Sequence, residues 1–463
     1  MGAELRLVAL VGLLTGCVPS LRSDLSRIEQ LTAQRLPREV LGEVDLGEPA
    51  DVSRALREPL TVDGAVRLAL ANNRELRASL RDLGVERGLL AQAHLLPNPE
   101  VEIDLRRQED VGQPLQVELY VEYPITHALL TPMRVEAAGH DLEAARHRAA
   151  GRVLQLAYEA RAAYLAAQAA EQSLAVAQRS LEALAAARDA AQMLYEAGNT
   201  AALDVATQVA AYEEARAVVA QIELERASTR ERLARALGLH GAGLELTMAG
   251  TLPDVPPGDE LPETLEREAL TASLELAETR SRLAALAQRV GLSRTEGWLP
   301  EISVDVHAEQ DGETWEYGGG ASLSIPLFDR REGETAAFQA RFDALTERYL
   351  GAAVDVRSAA REARNRLTSA RLRATQYADV IVPARGRVVE QTLLQYDAMQ
   401  VGVFELLAAL RAQLSAELEG IAARRDYWTA RAALDALLRG QRVSFTGGTS
   451  ATLASDPGTE GGH

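Results

Sequence analysis

The residues with the clearest chemical potential are carboxylates that alternate with apolar residues in four short segments. Segments 99–108, 115–125, 299–310 and 317–327 each place apolar side chains at every second position. Because successive side chains of a β-strand point to opposite faces, each segment predicts a strand with one apolar face and one polar face. The candidate carboxylates of the polar faces are Glu102, Asp104, Glu118, Glu122, Asp305 and Glu309. Carboxylates arranged around a pore favour cations; the alternative is a solvated face with no role in selectivity.

No catalytic constellation accompanies these carboxylates. The sequence has no glycine-rich nucleotide loop, no His-Glu-x-x-His motif and a single cysteine, so the common nucleophile and metalloenzyme patterns are missing. His140 and His147 share a helical face but lie two turns apart, which is too far for one metal ion. The formal charge of −18 argues against nucleic acid as a partner. We therefore expect no enzyme activity, no metal site and no cofactor.

Residues 1–16 have the pattern of an export signal peptide. An apolar run from Leu7 to Leu14 follows a charged patch and is too short to span a bilayer. The sequence Leu14-Thr15-Gly16-Cys17 resembles the lipobox of bacterial lipoproteins, in which the cysteine thiol is acylated and the cysteine becomes the mature N-terminus. This resemblance, with Val18 after the cysteine, implies a lipid anchor in the outer membrane. The alternative is a chance buried cysteine at the end of an apolar helix.

The remainder of the chain repeats itself. Pro99-Glu-Val-Glu-Ile-Asp104 matches Pro300-Glu-Ile-Ser-Val-Asp305, and the same offset of 300 − 99 = 201 relates Tyr195-Glu-Ala to Tyr396-Asp-Ala. Each half has the order helix, two strands, long helical region, which indicates duplication of one unit. The predicted divisions are a lipid-anchored lead segment at 17–59, a first repeat at 60–240, a Pro/Gly linker at 241–262, a second repeat at 263–440 and a disordered tail at 441–463.

The two long helical regions each predict a hairpin. Residues 132–238 are nearly all helix formers, and so are 330–440. The first region is interrupted at Gly198-Asn199, a helix stop, and Thr200 is a candidate N-cap for the descending helix. The second region turns near 396–402 and contains Gly402. Alanine at many seam positions lets helices approach closely, so we expect these hairpins to need neighbours on both flanks.

The four strands cannot form a closed barrel alone. Strands of about 10 residues are long enough to cross a bilayer core, where open sheet edges are excluded because their backbone groups would be unpaired. Three copies would supply twelve strands, an even number within the bacterial range. The alternative is two ordinary hairpins that rest their apolar faces on a core.

Several motifs in this order resemble the TolC family of outer-membrane efflux and secretion channels. They are Leu96-Pro-Asn-Pro99 before the first strand, Ile325-Pro-Leu-Phe-Asp329 after the fourth, and the turns at 195–205 and 396–407. The Pro-Leu-Phe-Asp-Arg segment is most similar to the heavy-metal (CzcC-like) branch. The resemblance implies a fold that is mainly α with a small membrane β part: tandem-repeat helical hairpins plus four β-strands per protomer. Three protomers would form a 12-stranded β-barrel and an α-helical periplasmic tunnel.

The resemblance also implies partners and contact residues. The homotrimer would meet a periplasmic adaptor protein linked to an inner-membrane pump of the RND type. Its contacts would lie at the hairpin tips, which contain Gly198, Asn199, Thr200 and Gly402. Glu405 occupies the position of an acidic gate residue; the second acidic position is Ala408 here, so Asp204 is the substitute candidate beside Glu405.

These features together predict a passive outer-membrane channel subunit of a tripartite efflux system in a Gram-negative bacterium. The channel would export small molecules or metal cations, since nothing in the sequence binds ATP or relays protons. The alternatives are an outer-membrane channel for type I secretion, a periplasmic adaptor and a coiled-coil lipoprotein without a pore.

Overall fold

The computed structural model describes residues 20–36, 40, 46, 52, 56–106, 115–240, 246–258, 262–311 and 314–443. These residues divide into two compact units. The sheet unit comprises Leu80–Ala149, Leu276–Ala352 and the described residues before Glu29. The hairpin unit comprises the described parts of Glu29–Ser79, Ala150–Glu275 and Ala353–His463. Cys17, the predicted signal peptide and residues 444–463 of the predicted tail lie outside the described residues.

The chain is mainly helical with one small antiparallel sheet, and this part of the predicted fold class is confirmed. In chain order the first half contains α1 (Arg22–Ala33), α2 (Val62–Asn72), α3 (Arg74–Ala93), β1 (Glu100–Arg106), β2 (Gln116–Pro124), α4 (Ile125–Glu196) and α5 (Ala202–Ala236). The second half contains α6 (Leu265–Ala272), α7 (Leu274–Trp298), β3 (Glu301–Asp311), β4 (Thr314–Ser324), α8 (Glu332–Gln376), α9 (Val382–Asp397) and α10 (Val403–Leu438).

All four strands pair in one sheet in the order β1-β2-β3-β4, with every neighbouring pair antiparallel. Thr126, in the first turn of α4, attaches that helix to the start of β3. Its hydroxyl donates to the carbonyl of Pro300 over 2.9 Å and accepts from the amide of Ile302 over 2.9 Å. The sheet is therefore tied to the helix that directly follows β2.

The bounds of two elements differ from the sequence prediction. β4 begins at Thr314 and ends at Ser324, whereas the alternating pattern predicted 317–327. Glycine is depleted in strands and concealed the true start, while Pro326 has no amide hydrogen to continue the ladder. The first long helix begins at Ile125, before the predicted position 132, and holds Pro132 inside it.

A buried ion cluster attaches the start of α1 to the sheet unit. The Asp24 side chain is 0% exposed. It accepts from Arg87 Nε of α3 over 2.8 Å and from Arg146 Nη2 of α4 over 2.7 Å. Two guanidinium groups thus compensate one fully buried carboxylate, as a buried charge requires.

The hairpin unit has a narrow core made largely of alanine. On α8 the buried residues recur along one stripe, namely Val356, Ala360, Ala363, Leu367, Ala370 and Ala374, and they pack against Tyr427, Leu434 and Leu437 of α10. Between α4 and α5 the seam is formed by Leu174, Ala177 and Val219. Small side chains at these positions allow close helix approach, so long helices can pair without a thick core.

A π-helical segment interrupts the second hairpin. Residues Tyr377–Ile381 form it between α8 and α9, and Pro383 follows in the first turn of α9. Gly420 of α10 lies opposite, where a Cβ atom would be 3.7 Å from Tyr377 Cβ and from Val382 Cγ2. The local change of helix geometry thus has identifiable causes in the extra π-turn residue and the proline.

Two glycines with positive φ end the descending helices against the short helices at the start of each repeat. Gly238 (φ +69) follows α5, and a Cβ atom there would lie 2.6 Å from the carbonyl oxygen of Asn72. Gly440 (φ +98) follows α10 and packs even more closely against the carbonyl oxygen of Ala272. The two glycines are 440 − 238 = 202 positions apart, close to the offset between the sequence repeats.

We expect Gly238→Ala to destabilise the chain more than Gly250→Ala. Both glycines have nearly equal φ values, +69 and +65, but a Cβ at Gly250 meets nothing within 4 Å. The shared cost of a left-handed residue is about 1–2 kcal/mol. Contact with Asn72 should add about 1–3 kcal/mol to Gly238→Ala alone.

Denaturant unfolding of both variants in mild detergent, followed by far-ultraviolet circular dichroism, measures the difference. Equal unfolding midpoints for the two variants would show that the helix end can move away from Asn72 at no cost.

Candidate functional site

The sheet separates its side chains into two chemically distinct faces. All six predicted carboxylates lie on one face, because the observed register pairs Asp104 with Glu118, Glu118 with Glu309, and Glu122 with Asp305. The opposite face is apolar and exposed: Val101, Ile103 and Leu105 of β1 are 60%, 63% and 60% exposed. Among the described residues nothing covers this face, so the alternative of two hairpins that rest their apolar faces on a core is not supported.

A row of four carboxylates crosses the polar face. The register aligns one acidic residue from each strand: Asp104, Glu118, Glu309 and Glu316. Arg106 pairs with Asp104 over 2.9 Å and with Glu118 over 3.2 Å. Within the described residues, Glu309 and Glu316 have no ion-pair partner, so the negative charge of the row is compensated at the β1 end only.

Glu316 is a site residue that the sequence prediction missed. It lies in the part of β4 that precedes the predicted start at 317. Its signal in the sequence is the alternation of Glu316 with Trp315 and Tyr317, which the following glycines obscure. Only the pairing of β4 with β3 shows that Glu316 stands opposite Glu309.

Two glycines of β4, Gly318 and Gly320, make room for side chains of β3. His307 pairs with Gly318, and its imidazole occupies the space that a Cβ atom of Gly318 would need. Asp305 lies against Gly320 in the same way, 2.7 Å from the position of a Cβ atom. The ring of Tyr120 stacks on His307 with centroids 6.5 Å apart. His307 and Asp305 therefore lie over the glycines of β4, close to the sheet.

Aromatic side chains mark both ends of the apolar face. Trp315 and Tyr317 are stacked, with ring centroids 6.5 Å apart, and both are exposed. Trp298 precedes β3 and Phe328 follows β4, so both lie near the other end of the strands, and both are exposed. An apolar band bordered by aromatic residues is the pattern of strands that cross an outer membrane.

The hairpin tips are exposed, as predicted. At the first tip Gly198 has φ +75 with open space around it, and Asn199 is exposed. At the second tip Met399 adopts φ +57, a conformation that few side chains tolerate, and Gly402 is the N-cap of α10. Both tips therefore present backbone and small or flexible side chains.

The acidic residues beside the tips are engaged with their own helix starts. Asp204 accepts from the Thr200 hydroxyl over 2.7 Å and from the Ala201 amide over 3.2 Å. The N-cap is therefore Ala201, and the expectation that Thr200 is the N-cap is wrong, because its hydroxyl bonds to Asp204 instead. Glu405 is exposed and folds back over Gly402, with Oε2 2.8 Å from the position of a Cβ atom there. Within the described residues, no ion pair or hydrogen bond joins Asp204 and Glu405.

The described residues contain no group of three or more His, Cys, Asp or Glu side chains placed to hold a metal ion. His147 lies 3.8 Å from Glu143. No described helix combines the length and apolar character that spanning a membrane requires.

The long helical hairpins and the two-faced sheet define a class of protein, namely outer-membrane channels. The solved structure of the outer-membrane channel OprN is similar with a TM-score of 0.70 at 21% identity, covering 88% of this chain and 96% of that one. CusC, whose structure is described in terms of transmembrane channel formation, is similar with a TM-score of 0.70 at 16% identity, covering 82% of this chain and 92% of its own.

The profile of the outer membrane efflux protein family matches residues 65–239 and 265–440. The chain belongs to this family, and the resemblance to TolC-type channels is confirmed. Among curated proteins it is similar to the cobalt-zinc-cadmium resistance protein CzcC of Cupriavidus metallidurans, with 22% identity over 82% of this chain and 90% of that protein. A partial match of 29% identity to the nickel-cobalt-cadmium resistance protein NccC of Alcaligenes xylosoxydans covers 44% of this chain and 46% of that protein.

We expect Asp204→Ala to loosen the first turn of α5. The variant loses the acceptor for the Thr200 hydroxyl and the Ala201 amide, and loss of such a cap costs about 1 kcal/mol. This corresponds to roughly fivefold faster hydrogen exchange of the amides of residues 201–205. Glu213→Ala on the same helix is the control, because an exposed pair such as Glu213 with Arg216 contributes little. Unchanged hydrogen exchange in Asp204→Ala would show that Asp204 does not stabilise the first turn of α5.

Proposed function

We propose that this chain is the passive outer-membrane channel subunit of a tripartite efflux system, active as a homotrimer. The observation that carries the proposal is the uncovered apolar face of the sheet, bordered by aromatic side chains at both ends. A face of this kind is stable against lipid and costly against water. The opposite, polar face of the sheet, which carries the row of four carboxylates, would then line an aqueous path.

The trimer follows from the unpaired edges of the sheet. Within the described residues, β1 and β4 are each paired on one side only. In a bilayer these edges must find partners, and β4 of one copy can pair with β1 of the next. Three copies would close a 12-stranded barrel, and their helical hairpins would supply the neighbours that α9, which has no buried residue in the single chain, requires.

We further propose that the chain carries an N-terminal lipid anchor and meets periplasmic partners at its hairpin tips. The sequence pattern supports a signal peptide at 1–16, a lipid anchor at Cys17 and a lead segment at 17–59 before the two repeats at 60–240 and 263–440, joined by the linker at 241–262. The hairpin tips at Gly198, Asn199, Thr200 and Gly402 would contact a periplasmic adaptor, which joins an inner-membrane pump of the RND type.

Both the names of the curated relatives and the negative charge of the acidic row favour metal cations as the cargo. The curated relatives are named for resistance to cobalt, zinc, cadmium and nickel. Three copies would repeat the acidic row and place 3 × 4 = 12 carboxylates around the path. Such a ring concentrates cations without binding them tightly, which suits conduction. A type I secretion channel shares the fold, but no described feature favours a polypeptide cargo.

We expect the purified full-length protein in mild detergent to migrate at the size of a trimer and to conduct ions in planar lipid bilayers. A monomer without conductance would contradict the proposal and favour a lipoprotein without a pore.

Cys17→Ser should abolish lipid labelling in the host while leaving conductance of the detergent-purified trimer intact.

In planar bilayer recordings, Glu405→Ala should raise single-channel conductance if the carboxylate gates the tip. Unchanged conductance would remove Glu405 from the gate.

The acidic row predicts charge selectivity with a definite sign. The double variant Glu309→Gln/Glu316→Gln removes the two carboxylates of the row that have no ion-pair partner among the described residues, so its reversal potential in a salt gradient should move toward that of a nonselective pore. Arg106→Gln should move the reversal potential the other way, because it frees Asp104 and Glu118. Both shifts should shrink in high salt, where charges are screened. If the two variants behave alike, the row does not set selectivity.

A further inference from the structure

Two segments that flank the edge strands of the sheet expose large apolar side chains. The entry segment, residues 95–99, lies between α3 and β1, and the exit segment, residues 325–329, lies between β4 and α8. Phe328 is fully exposed, and the other apolar residues of this set are more than half exposed, namely Leu95, Leu96, Ile325 and Leu327. Neighbouring exposed apolar side chains of this kind mark a contact with another protein or with lipid.

The exit segment holds its side chains in an ordered turn. The Leu327 amide donates to the carbonyl of Ile325 over 2.9 Å, and the Arg331 amide donates to the Asp329 carboxylate over 2.8 Å. The guanidinium of Arg331 is anchored in turn, because it pairs with a carboxylate of α7 over 2.6 Å. The full exposure of the aromatic side chain between these bonds is therefore a property of a fixed backbone.

The sheet topology places the two segments at the same end of the sheet but at opposite edges. Every neighbouring pair of strands is antiparallel, so β1 and β4 run in opposite directions and β1 starts at the end where β4 finishes. Within one chain β2 and β3 lie between them, and three strand spacings of ~4.8 Å make about 14 Å. The apolar side chains of the two segments are therefore too far apart to pack together within one chain.

Pairing of β4 with β1 of the next copy makes the two segments neighbours. Threefold symmetry keeps equivalent residues of all copies at one height along the barrel axis. The end of β4 in one copy then lies beside the start of β1 in the next, one strand spacing away. The exit segment of the first copy continues alongside the entry segment of the second.

Proline prevents the backbone from joining the copies beyond the strand ends. Pro97 and Pro99 in the entry segment and Pro326 in the exit segment have no amide hydrogen to donate. The ladder between β4 and the next β1 therefore stops at this level. Only side chains can fill the space between the copies here, and both segments supply apolar ones.

We propose that Leu327 and Phe328 of one copy pack against Leu95 and Leu96 of the next copy, where the barrel joins the helices. This inference rests on the proposed trimer and names a surface that holds its copies together beyond the strand ladder. The contact occurs three times in a trimer, and burial of apolar surface on both sides drives it. The competing neighbour of Phe328 is lipid, which the cross-linking experiment separates from a second copy.

Cysteine cross-linking in membranes tests the contact. Oxidation of Leu96→Cys/Phe328→Cys and of Leu96→Cys/Leu327→Cys should give covalent dimers and trimers on denaturing gels, and reductant should remove them. A disulfide requires Cα atoms about 4.4–6.8 Å apart. Ile103→Cys/Phe328→Cys is the control on the same edge strand: Ile103 lies 103 − 96 = 7 positions from Leu96, about 23 Å along an extended chain, so this pair should not cross-link.

Each single-cysteine variant should stay uncross-linked. The same residue recurs in the next copy four strand spacings away, about 19 Å, which is beyond the reach of a disulfide. The single variants also show whether Cys17, the one native cysteine, takes part.

Leu96→Ala should lower the temperature at which the trimer dissociates in sodium dodecyl sulfate, because it removes apolar contact between copies. Leu119→Ala is the matched control. Leu119 lies on the apolar face of the central strand β2, paired with Ile103 and Ala308 of its own chain, so its loss leaves the junction between copies intact. Equal dissociation temperatures for the two variants would contradict the proposal.

The outcomes separate this contact from the proposed function. A conducting trimer in which neither double-cysteine variant cross-links would overturn the contact and leave lipid beside Phe328, while the channel proposal stands. A monomer without conductance would contradict the trimer and the contact together.

Discussion

The rest of the structure depends on one constraint, which is that the backbone groups at the two edges of the sheet need hydrogen-bond partners. The sheet turns an uncovered apolar face outward, yet within the described residues β1 and β4 each leave one row of backbone groups without a strand partner. In water the apolar face is unfavourable, and in lipid the unpaired edges cost several kcal/mol per group. Both problems have one solution, which is pairing between copies of the chain in a membrane. The proposed trimer rests on this requirement more than on any individual contact.

The register that pairs the strands also determines the chemistry of the polar face. A shift of β3 by one residue against β2 would move Asp305, His307 and Glu309 to the apolar face. The observed register instead brings one carboxylate from each strand into a single row. Glycines in β4 then allow His307 and Asp305 to lie against the sheet. Strand pairing and the electrostatics of the proposed pore are thus consequences of the same hydrogen-bond ladder.

The two halves of the chain reach similar backbone geometry with different side chains. At the end of α5, Asn73 donates to the carbonyl of Ala236 over 3.2 Å. At the end of α10, Arg35 reaches across from the N-terminal segment to the carbonyl of Arg439. Glycine is retained at both places, Gly238 and Gly440, because the close approach of backbone leaves no room for a Cβ atom. A half-buried guanidinium therefore donates at the end of α10, where a neutral amide donates at the end of α5.

The sequence by itself determined the elements whose signal is local. Alternation revealed the strands and the six carboxylates of one face, and the turn residues marked both hairpin tips, because side-chain periodicity and turn preferences act over a few residues. The start of β4 was hidden by its glycines, and with it Glu316. Only the tertiary structure decided which distant groups meet: Arg87 and Arg146 converge on Asp24 from 63 and 122 positions away. Such contacts depend on how helices pack, and one helix face accepts many partners of the same size and polarity. For this reason the sequence defines the faces, whereas packing selects the residues that meet across them.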